Sequence, residues 1–278
     1  MDDPRLHAWP DLPLCVVIGA GGMGLAVARR LGQHHRLLIA DIDQARLDSV
    51  KADLGSTGYL VQTQKLDVTD ETSVSDLAST VEQDGGFRSL AHVAGLSPSM
   101  ADWQTIMAVN LRGPALVARH LLPHAGAGSA AVFISSLAGH MVANYEQVSE
   151  TLSSPLSDDL IGQLESVLGE ELNPTLSYQL SKKALNEMVR RLAPAWGEKR
   201  ARIVSLSPGL ISTPMGDLEF KNQPMKFDLL DATPLKRQGN MHEIADGVEF
   251  LLSEKASFIT GTDLLVDGGI HAALIQRG

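Results

Sequence analysis

The chain has 278 residues, of which 44% are hydrophobic, only 4% aromatic and 25 glycine. This composition suits aliphatic packing of helices on a buried sheet and disfavours an aromatic-rich β-sandwich. The formal charge of −10 argues against nucleic acid as a partner, because phosphate backbones need clustered Lys and Arg to displace counterions. The single cysteine, Cys15, can form no internal disulfide, so a reducing compartment and a cytoplasmic protein are expected. No membrane partner is expected either: the most apolar window is broken by glycines and then by Arg29 and Arg30, well short of the roughly 20 apolar residues of a spanning helix. The start, "MDDPRLHAWPDLP", is acidic and lacks the charged n-region and apolar core of a signal peptide.

Short apolar runs alternate with helix-length segments along the whole chain. "PLCVVIGA", "HRLLIADI", "GYLVQTQKLDV", "SLAHVAG", "AAVFISS", "ARIVSLSPG" and "GTDLLVDGG" read as strands. Between them, segments such as "LAVARRLGQH", "QARLDSVKADLG", "WQTIMAVNLRGPALVARHLLPH", "YQLSKKALNEMVRRLAPAWGE" and "MHEIADGVEFLLSE" place apolar residues at i, i+3, i+4 and i+7. Continuous apolar strands joined by helical crossovers predict an α/β fold with one parallel sheet covered on both faces. No linker or repeat divides the chain, so residues 1–278 are expected to form one domain.

Residues 137–177 break this rhythm. They hold no strand signal but two helical patterns, "YEQVSETL" and "SDDLIGQLESVLGEEL", the second expected to start at Ser157 with acids in its first turn. Leu160, Leu164, Val167 and Leu168 form an apolar stripe, which reads as an inserted helical hairpin whose stripe needs a partner surface.

The turn after the first strand, "GAGGMGLAVARRL", fits GxGxxG with Gly19, Gly21 and Gly24. Glycines there let the backbone approach a pyrophosphate, whose charge is met by free amides and the helix dipole. Asp41 ends the second strand, 22 residues after Gly19, where a carboxylate accepts from adenosine ribose hydroxyls or, on the bland reading, caps the next helix. No Arg or Lys adjoins it in the chain, so its charge would repel a 2′-phosphate, and NAD is preferred to NADP. Asp67, in "LDVTD", would bond the adenine amino group or act as a turn residue.

At the other end of the chain, "YQLSK" sets Tyr178 four residues ahead of Lys182. A phenol titrates near 10 unless its anion is stabilised, and a cation one helical turn away stabilises it by Coulomb attraction. Tyr145 is a competing phenol, but its i+4 residue is Ser149. His92 as a catalytic base competes with an ordinary strand-end histidine.

Taken together, "GAGGMG", "LDVTD", "HVAG", "MAVNL", "VFISSLAG", "YQLSK", "SPGLISTPM" and "ITGTDLLVDGG" stand in the order and approximate spacing of the short-chain dehydrogenases/reductases, and residues 13–270 resemble the compact single-domain branch of that family. The resemblance implies one doubly wound Rossmann domain with a seven-stranded parallel sheet and an oxidoreductase of the CH–OH type. It implies catalytic roles for Asn110, Ser136, Tyr178 and Lys182, with Ser135 as an alternative to Ser136 because a one-residue shift reverses strand facing. On the bland reading, Asn110 only satisfies backbone groups at a helix kink near Gly113-Pro114. For the cofactor, the resemblance implies Gly19, Gly21, Gly22, Met23, Gly24, Asp41, Ile42, Asp67, Val68, Ala94, Gly95, Tyr178, Lys182, Pro208, Gly209, Ile211 and Thr213, and it implies no metal.

This sequence departs from the branch in its shorter glycine loop after Ile18, in His92 where the branch has Asn, and in the spacing of 42 positions from Ser136 to Tyr178. The long insertion resembles that of the bacterial 3α-hydroxysteroid dehydrogenase/carbonyl reductases, which implies a homodimer or homotetramer and a hydroxysteroid or similarly bulky apolar alcohol or ketone as substrate. Residues 213–235 would form the substrate lid, with Met215, Phe220, Met225, Phe227 and Leu229 suited to an apolar ligand. The rival reading is a non-catalytic NAD-binding regulatory or scaffold protein of the same fold.

Overall fold

The computed structural model of the chain describes residues 12–142, 145–213 and 225–276, together with Gly216 and Phe220. In chain order the elements are β1 (Leu14–Ile18), α1 (Gly22–Leu31), β2 (Arg36–Asp41), α2 (Gln44–Ser56), β3 (Val61–Lys65), α3 (Glu71–Gln83), β4 (Phe87–His92), α4 (Trp103–Met107), α5 (Gly113–Leu121) and β5 (Ala125–Ile134). They continue with α6 (Ser149–Ser153), α7 (Leu160–Leu168), α8 (Pro174–Glu198), β6 (Arg202–Pro208), β7 (Ile211–Ser212), α9 (Met225–Ala232), β8 (Gly239–Asn240), α10 (Met241–Leu252), β9 (Asp263–Val266) and α11 (Ile270–Ile275).

All seven predicted strands are present and form one parallel sheet in the order β3-β2-β1-β4-β5-β6-β9. Their side chains alternate between two cores, as the period of a strand requires. Val16, Ile18, Leu38 and Leu90 point to the face covered by α3, α5 and α8, whereas Cys15, Val17, Leu37 and Ile39 point to the face covered by α1, α2 and α10. The Cys15 thiol is buried, and burial pushes its pKa up. No helix among the described residues is long and apolar enough to cross a membrane.

Strand order reverses between β1 and β4, so the chain leaves the carboxyl ends of these neighbours in opposite directions and opens a crevice there. The crevice is pinned from both sides. The amides of Val93 and Ala94 both donate to the Ile18 carbonyl, and the Gly19 amide donates to the Ala40 carbonyl of β2.

Three local expectations are corrected. The helix predicted over residues 103–124 is interrupted: α4 and α5 are joined by a widened turn, Ala108–Arg112, in which the Gly113 amide reaches back five residues to the Ala108 carbonyl. Pro114 explains the break, because it has no N–H for the carbonyl four residues before it, that of Asn110. The second helix of the insertion starts at Leu160 rather than Ser157, with no acid in its first turn. Its buried stripe is Leu160, Leu164 and Leu168, while Val167 is 49% exposed, because i, i+4, i+8 selects one narrow face and 167 falls beside it.

The partner surface for that stripe is the chain itself. Leu160, Leu164 and Leu168 join Val148 and Leu152 of the insertion in a satellite core built on Met107, Leu111, Leu180 and Ala184 of the α4 and α8 region. Truncating Leu164 to Ala is expected to cost roughly 2–5 kcal/mol, read as a lower urea midpoint. An unchanged midpoint would mean that the satellite core contributes nothing to cooperative unfolding.

Candidate functional site

The glycine loop carries the geometry that a dinucleotide pyrophosphate needs. Gly19 has φ +98°, and a Cβ there would come within 2.6 Å of the Ala94 amide nitrogen; a Cβ on Gly24 would collide with the Gly19 carbonyl. At Gly21, the residue that precedes α1, a Cβ would instead meet nothing within 4 Å and would fill open space in front of the helix. No side chain caps α1, so its first-turn amides point into that space with the positive end of the helix dipole. The loop thus fits the pyrophosphate of a nicotinamide dinucleotide. Gly22 faces the Met241 side chain, and Met23 packs on the core beneath.

Asp41 lies 7% exposed at the end of β2. It is not the cap of α2; that is Asp43, whose side chain accepts from the Arg46 amide. Asp41 Oδ2 accepts from the Ala20 amide of the glycine loop at 2.7 Å, and Oδ1 accepts from the Asp43 amide at 2.9 Å. The carboxylate is therefore aimed at the mouth of the loop. The expectation that no cation stands beside it does not hold in three dimensions: Arg46, in the first turn of α2, folds back so that Nη1 lies 3.2 Å from Oδ1 and 3.3 Å from Oδ2. Ile42 beside it is 59% exposed. Asp67 Oδ1 accepts from the amide and hydroxyl of Thr69, the turn role, and the neighbouring Val68 packs against Gly113.

On the opposite side of the crevice, Lys182 is 4% exposed and donates from Nζ to the Ile134 carbonyl of β5 at 3.0 Å. The same nitrogen lies 5.8 Å from the centroid of the Tyr178 ring. Gly95 closes the group, since a Cβ on it would stand 3.2 Å from Asn110 Oδ1 and 3.4 Å from Lys182 Nζ. The structure therefore brings Gly95, Asn110, Tyr178 and Lys182 together. Burial pushes the Lys182 ammonium down to about 8, because a charge removed from water is disfavoured.

The two serines separate cleanly. Ser135 is buried and donates its hydroxyl to the Lys182 carbonyl at 3.0 Å, which binds β5 to α8. Ser136 is partly exposed, extended in backbone, and accepts from the Ala138 amide. Of the two, Ser136 has a hydroxyl proton left for a ligand. Next in the same turn, Gly139 lies so close to α8 that a Cβ would come within 2.8 Å of the Lys182 carbonyl carbon.

The Asn110 side chain clamps one backbone unit: Oδ1 accepts from the Leu96 amide and Nδ2 donates to the Leu96 carbonyl, both at 2.8 Å. The backbone groups it satisfies are those of Leu96 after β4, not those of the kink near Gly113-Pro114 weighed from the sequence, and the Asn110 main-chain carbonyl has no i+4 donor because Pro114 lacks an N–H. His92 is no catalytic base. It is 1% exposed, stacked on Phe133 with ring centroids 5.4 Å apart, and held neutral by burial, then by Lys182, with its pKa down to about 3. Tyr145 sits over Lys183, and burial, then Glu187, raises its pKa, opposite to activation. Lys183 pairs with Glu187 at 2.9 Å.

Pro208 ends β6, where Gly209 passes so close to Asp267 that a Cβ would lie 2.6 Å from its Cα. Ile211 is buried in β7, which pairs with β8, a two-stranded parallel sheet too short to leave a periodic signal in the sequence. Thr213 Oγ1 accepts from the Gly216 amide. In the segment 213–235, expected from the sequence to be a lid, Phe220 and Phe227 meet edge to face at 5.1 Å and Leu229 is half-buried; Met215 and the Met225 side chain lie outside the described residues. Arg46, Ile134 and Leu96 were not foreseen. Ile134 and Leu96 act through backbone groups, which carry no residue signature, whereas an arginine in the first turn of the helix after Asp41 was a signal within reach.

A family profile described as short chain dehydrogenase matches residues 14–148, and one described as enoyl-(acyl carrier protein) reductase matches residues 163–271. The short-chain dehydrogenase/reductase bsc3 of Alternaria brassicicola is 35% identical over 93% of this chain and 96% of its own. The chain belongs to the short-chain dehydrogenase/reductase family. Among other relatives, the galactitol 2-dehydrogenase (L-tagatose-forming) of Cereibacter sphaeroides is 31% identical over 93% of this chain and 95% of its own. A solved short-chain dehydrogenase/reductase of Brucella melitensis, titled glucose/ribitol dehydrogenase, superposes with TM-score 0.74 at 29% identity, covering 93% of this chain and 96% of that one. As a member of this family the chain is an oxidoreductase that uses a nicotinamide cofactor.

In this short-chain dehydrogenase/reductase the buried ammonium has a pH signature. The folded lysine sheds its proton near pH 8 and the unfolded one near its ordinary 10.5, so between these values the unfolded state binds more protons and stability rises with pH. Below pH 8 the cost of burying the charge is present in full. Lys182→Met is therefore expected to be more stable than the parent at pH 7 and to lose that advantage by pH 10.5, as denaturation midpoints at both values would measure. A difference independent of pH would contradict it.

Proposed function

We propose that the chain is an NAD(H)-dependent oxidoreductase that interconverts a secondary alcohol and a ketone, with Tyr178 as the proton donor and acceptor. The observation that carries this reading is the placement of the buried Lys182 ammonium 5.8 Å from the Tyr178 ring, between the Ile134 carbonyl and Gly95. The cofactor, when bound, supplies the hydride acceptor or donor. The loop Gly19–Gly24 would hold its pyrophosphate, Asp41 its adenosine ribose, and Asp67 and Val68 its adenine. Ala94 and Gly95 would line its path to the nicotinamide, where Pro208, Gly209, Ile211 and Thr213 would set the ring.

Within that frame, Lys182 stabilises the Tyr178 phenolate by its charge, so that Tyr178 takes the alcohol proton at neutral pH. Ser136 bonds the reacting oxygen and holds it against Tyr178. The Asn110 carbonyl is left to hold a water through which the proton leaves. The insertion covers the outer face of α4 and α8 with its own leucines, which supports a homodimer formed through another surface.

For the substrate, the Phe220–Phe227 pair and Leu229 support a bulky apolar compound such as a hydroxysteroid. A polyol is the second reading, favoured by the relative named galactitol 2-dehydrogenase. Following absorbance of reduced cofactor with NAD and a panel of hydroxysteroids, alicyclic alcohols and polyols tests both, and nucleotide binding without turnover on any of them would favour the scaffold reading instead. Tyr178→Phe is expected to lower turnover by about a hundred- to ten-thousandfold with dinucleotide affinity changed only a few-fold; full turnover in this variant would remove the mechanism.

A further inference from the structure

Away from the dinucleotide crevice, four elements meet in a polar cluster. Asp263 starts the edge strand β9, yet its side chain is only 3% exposed. Its Oδ2 accepts from His140 Nε2 at 2.8 Å, while its Oδ1 is buried and finds no donor. A carboxylate stripped of water holds firmly to a donor, because losing it leaves a bare charge in the interior. His140 is thereby anchored to the edge of the sheet. The same Nε2 lies 3.3 Å from Asn186 Nδ2 on α8, one helical turn beyond Lys182, and the His140 ring is met edge-on by His271 of α11, with centroids 5.2 Å apart.

His140 is also the last residue of the turn that Ser136 opens. That turn is one tight unit: the Ala138 amide donates to Ser136 Oγ, the Gly139 amide donates to the Ser136 carbonyl, and Gly139 is pressed against the backbone of Lys182 and Lys183. Its near end is tied to β6 and α8 through Ser135, whose amide donates to the Leu206 carbonyl and whose hydroxyl donates to the Lys182 carbonyl. Its far end is tied through the His140 side chain.

From this we infer that His140, clamped by Asp263, is a positioning residue that sets the direction in which Ser136 presents its hydroxyl. The inference rests on the proposed alcohol and ketone chemistry, in which Ser136 holds the reacting oxygen against Tyr178. His140 sends its side chain to β9, so it acts through the serine and not on the substrate. Misplacement of a site group by about an ångström, caused from outside the site, costs up to about a hundredfold in rate.

The test is steady-state turnover of the purified full chain with NAD and the most rapidly oxidised alcohol of the hydroxysteroid, alicyclic and polyol panel, alongside NADH binding followed by fluorescence. His140→Phe keeps a ring against His271 and removes the donor. It is expected to lower kcat about ten- to a hundredfold with the NADH dissociation constant within about threefold of the parent. Asp263→Asn, which keeps an acceptor oxygen, is expected to hold kcat within about threefold. In a Ser136→Ala background, His140→Phe is expected to change kcat less than about twofold, because the effect passes through the serine; a general loosening of the fold would add its full loss there and weaken NADH binding as well. Because His140→Phe strands the Asp263 charge, the double variant His140→Phe/Asp263→Leu, in which both polar partners are replaced, is measured beside it, and melting curves confirm that each variant is folded. A folded double variant with parental kcat, a full further loss in the Ser136→Ala background, or an Asp263→Asn loss equal to that of His140→Phe overturns the role of His140 alone. A parent that binds NADH and turns over no alcohol of the panel overturns the proposed function and this inference with it.

Discussion

A single buried ammonium organises one half of the molecule. Lys182 is held almost out of water, where an uncompensated charge is costly, and one carbonyl of β5 meets one of its three protons. Its seat exists because small residues on separate elements let α8 come close: Gly139 in the turn after β5 touches the Lys182 backbone, Gly95 after β4 leaves room for the ammonium itself, and Ser135 ties the helix carbonyl to the strand. A methyl group at Gly139 would push α8 off the sheet, and with it both Tyr178 and Lys182. The neutrality of His92 comes first from its own burial and then from the same charge, since a second cation beneath the ammonium would be desolvated as well as repelled.

What the sequence made legible follows from which interactions have a period. The seven strands and the helices of the two main cores stand out because burial on one or two faces repeats every two or 3.6 residues. The glycine loop was legible because Gly19 and Gly24 make close backbone approaches that only glycine tolerates, while Gly21 leaves open space before α1. The interrupted helix was partly legible through Gly113-Pro114. In the insertion the pattern was right in kind and wrong in detail: Asp158 and Asp159 looked like first-turn acids, yet the helix begins after them. β5 begins earlier than expected, at Ala125, because "AGAGS" reads as a loop while its backbone still pairs with Phe87 of β4 across an irregular register.

In the site, residue types were easier to read than contacts. Tyr178, Lys182 and Asn110 lie near one another, but which of two adjacent serines has its hydroxyl engaged within the fold depends on the strand's facing, and it is Ser135, bonded to the Lys182 carbonyl. The absence of a basic neighbour to Asp41 was true along the chain and untrue in space, because one turn of helix brings a residue five positions away back over the strand end. Linear adjacency is a poor guide to electrostatics wherever a strand turns into a helix.

α8 has two working sides. One carries Tyr178 and Lys182, whose ammonium reaches the Ile134 carbonyl and the backbone at Gly95; the other sends Leu180 and Ala184 into the leucine cluster of residues 148–168. The segment between Ser136 and Tyr178 is therefore a brace on the back of the helix that bears the phenol, and its grip sets how tightly that helix is seated. A substitution at Leu152 or Leu164 thus acts on the seating of α8 from a distance, through Leu180 and Ala184 and not through Lys182 or its neighbours.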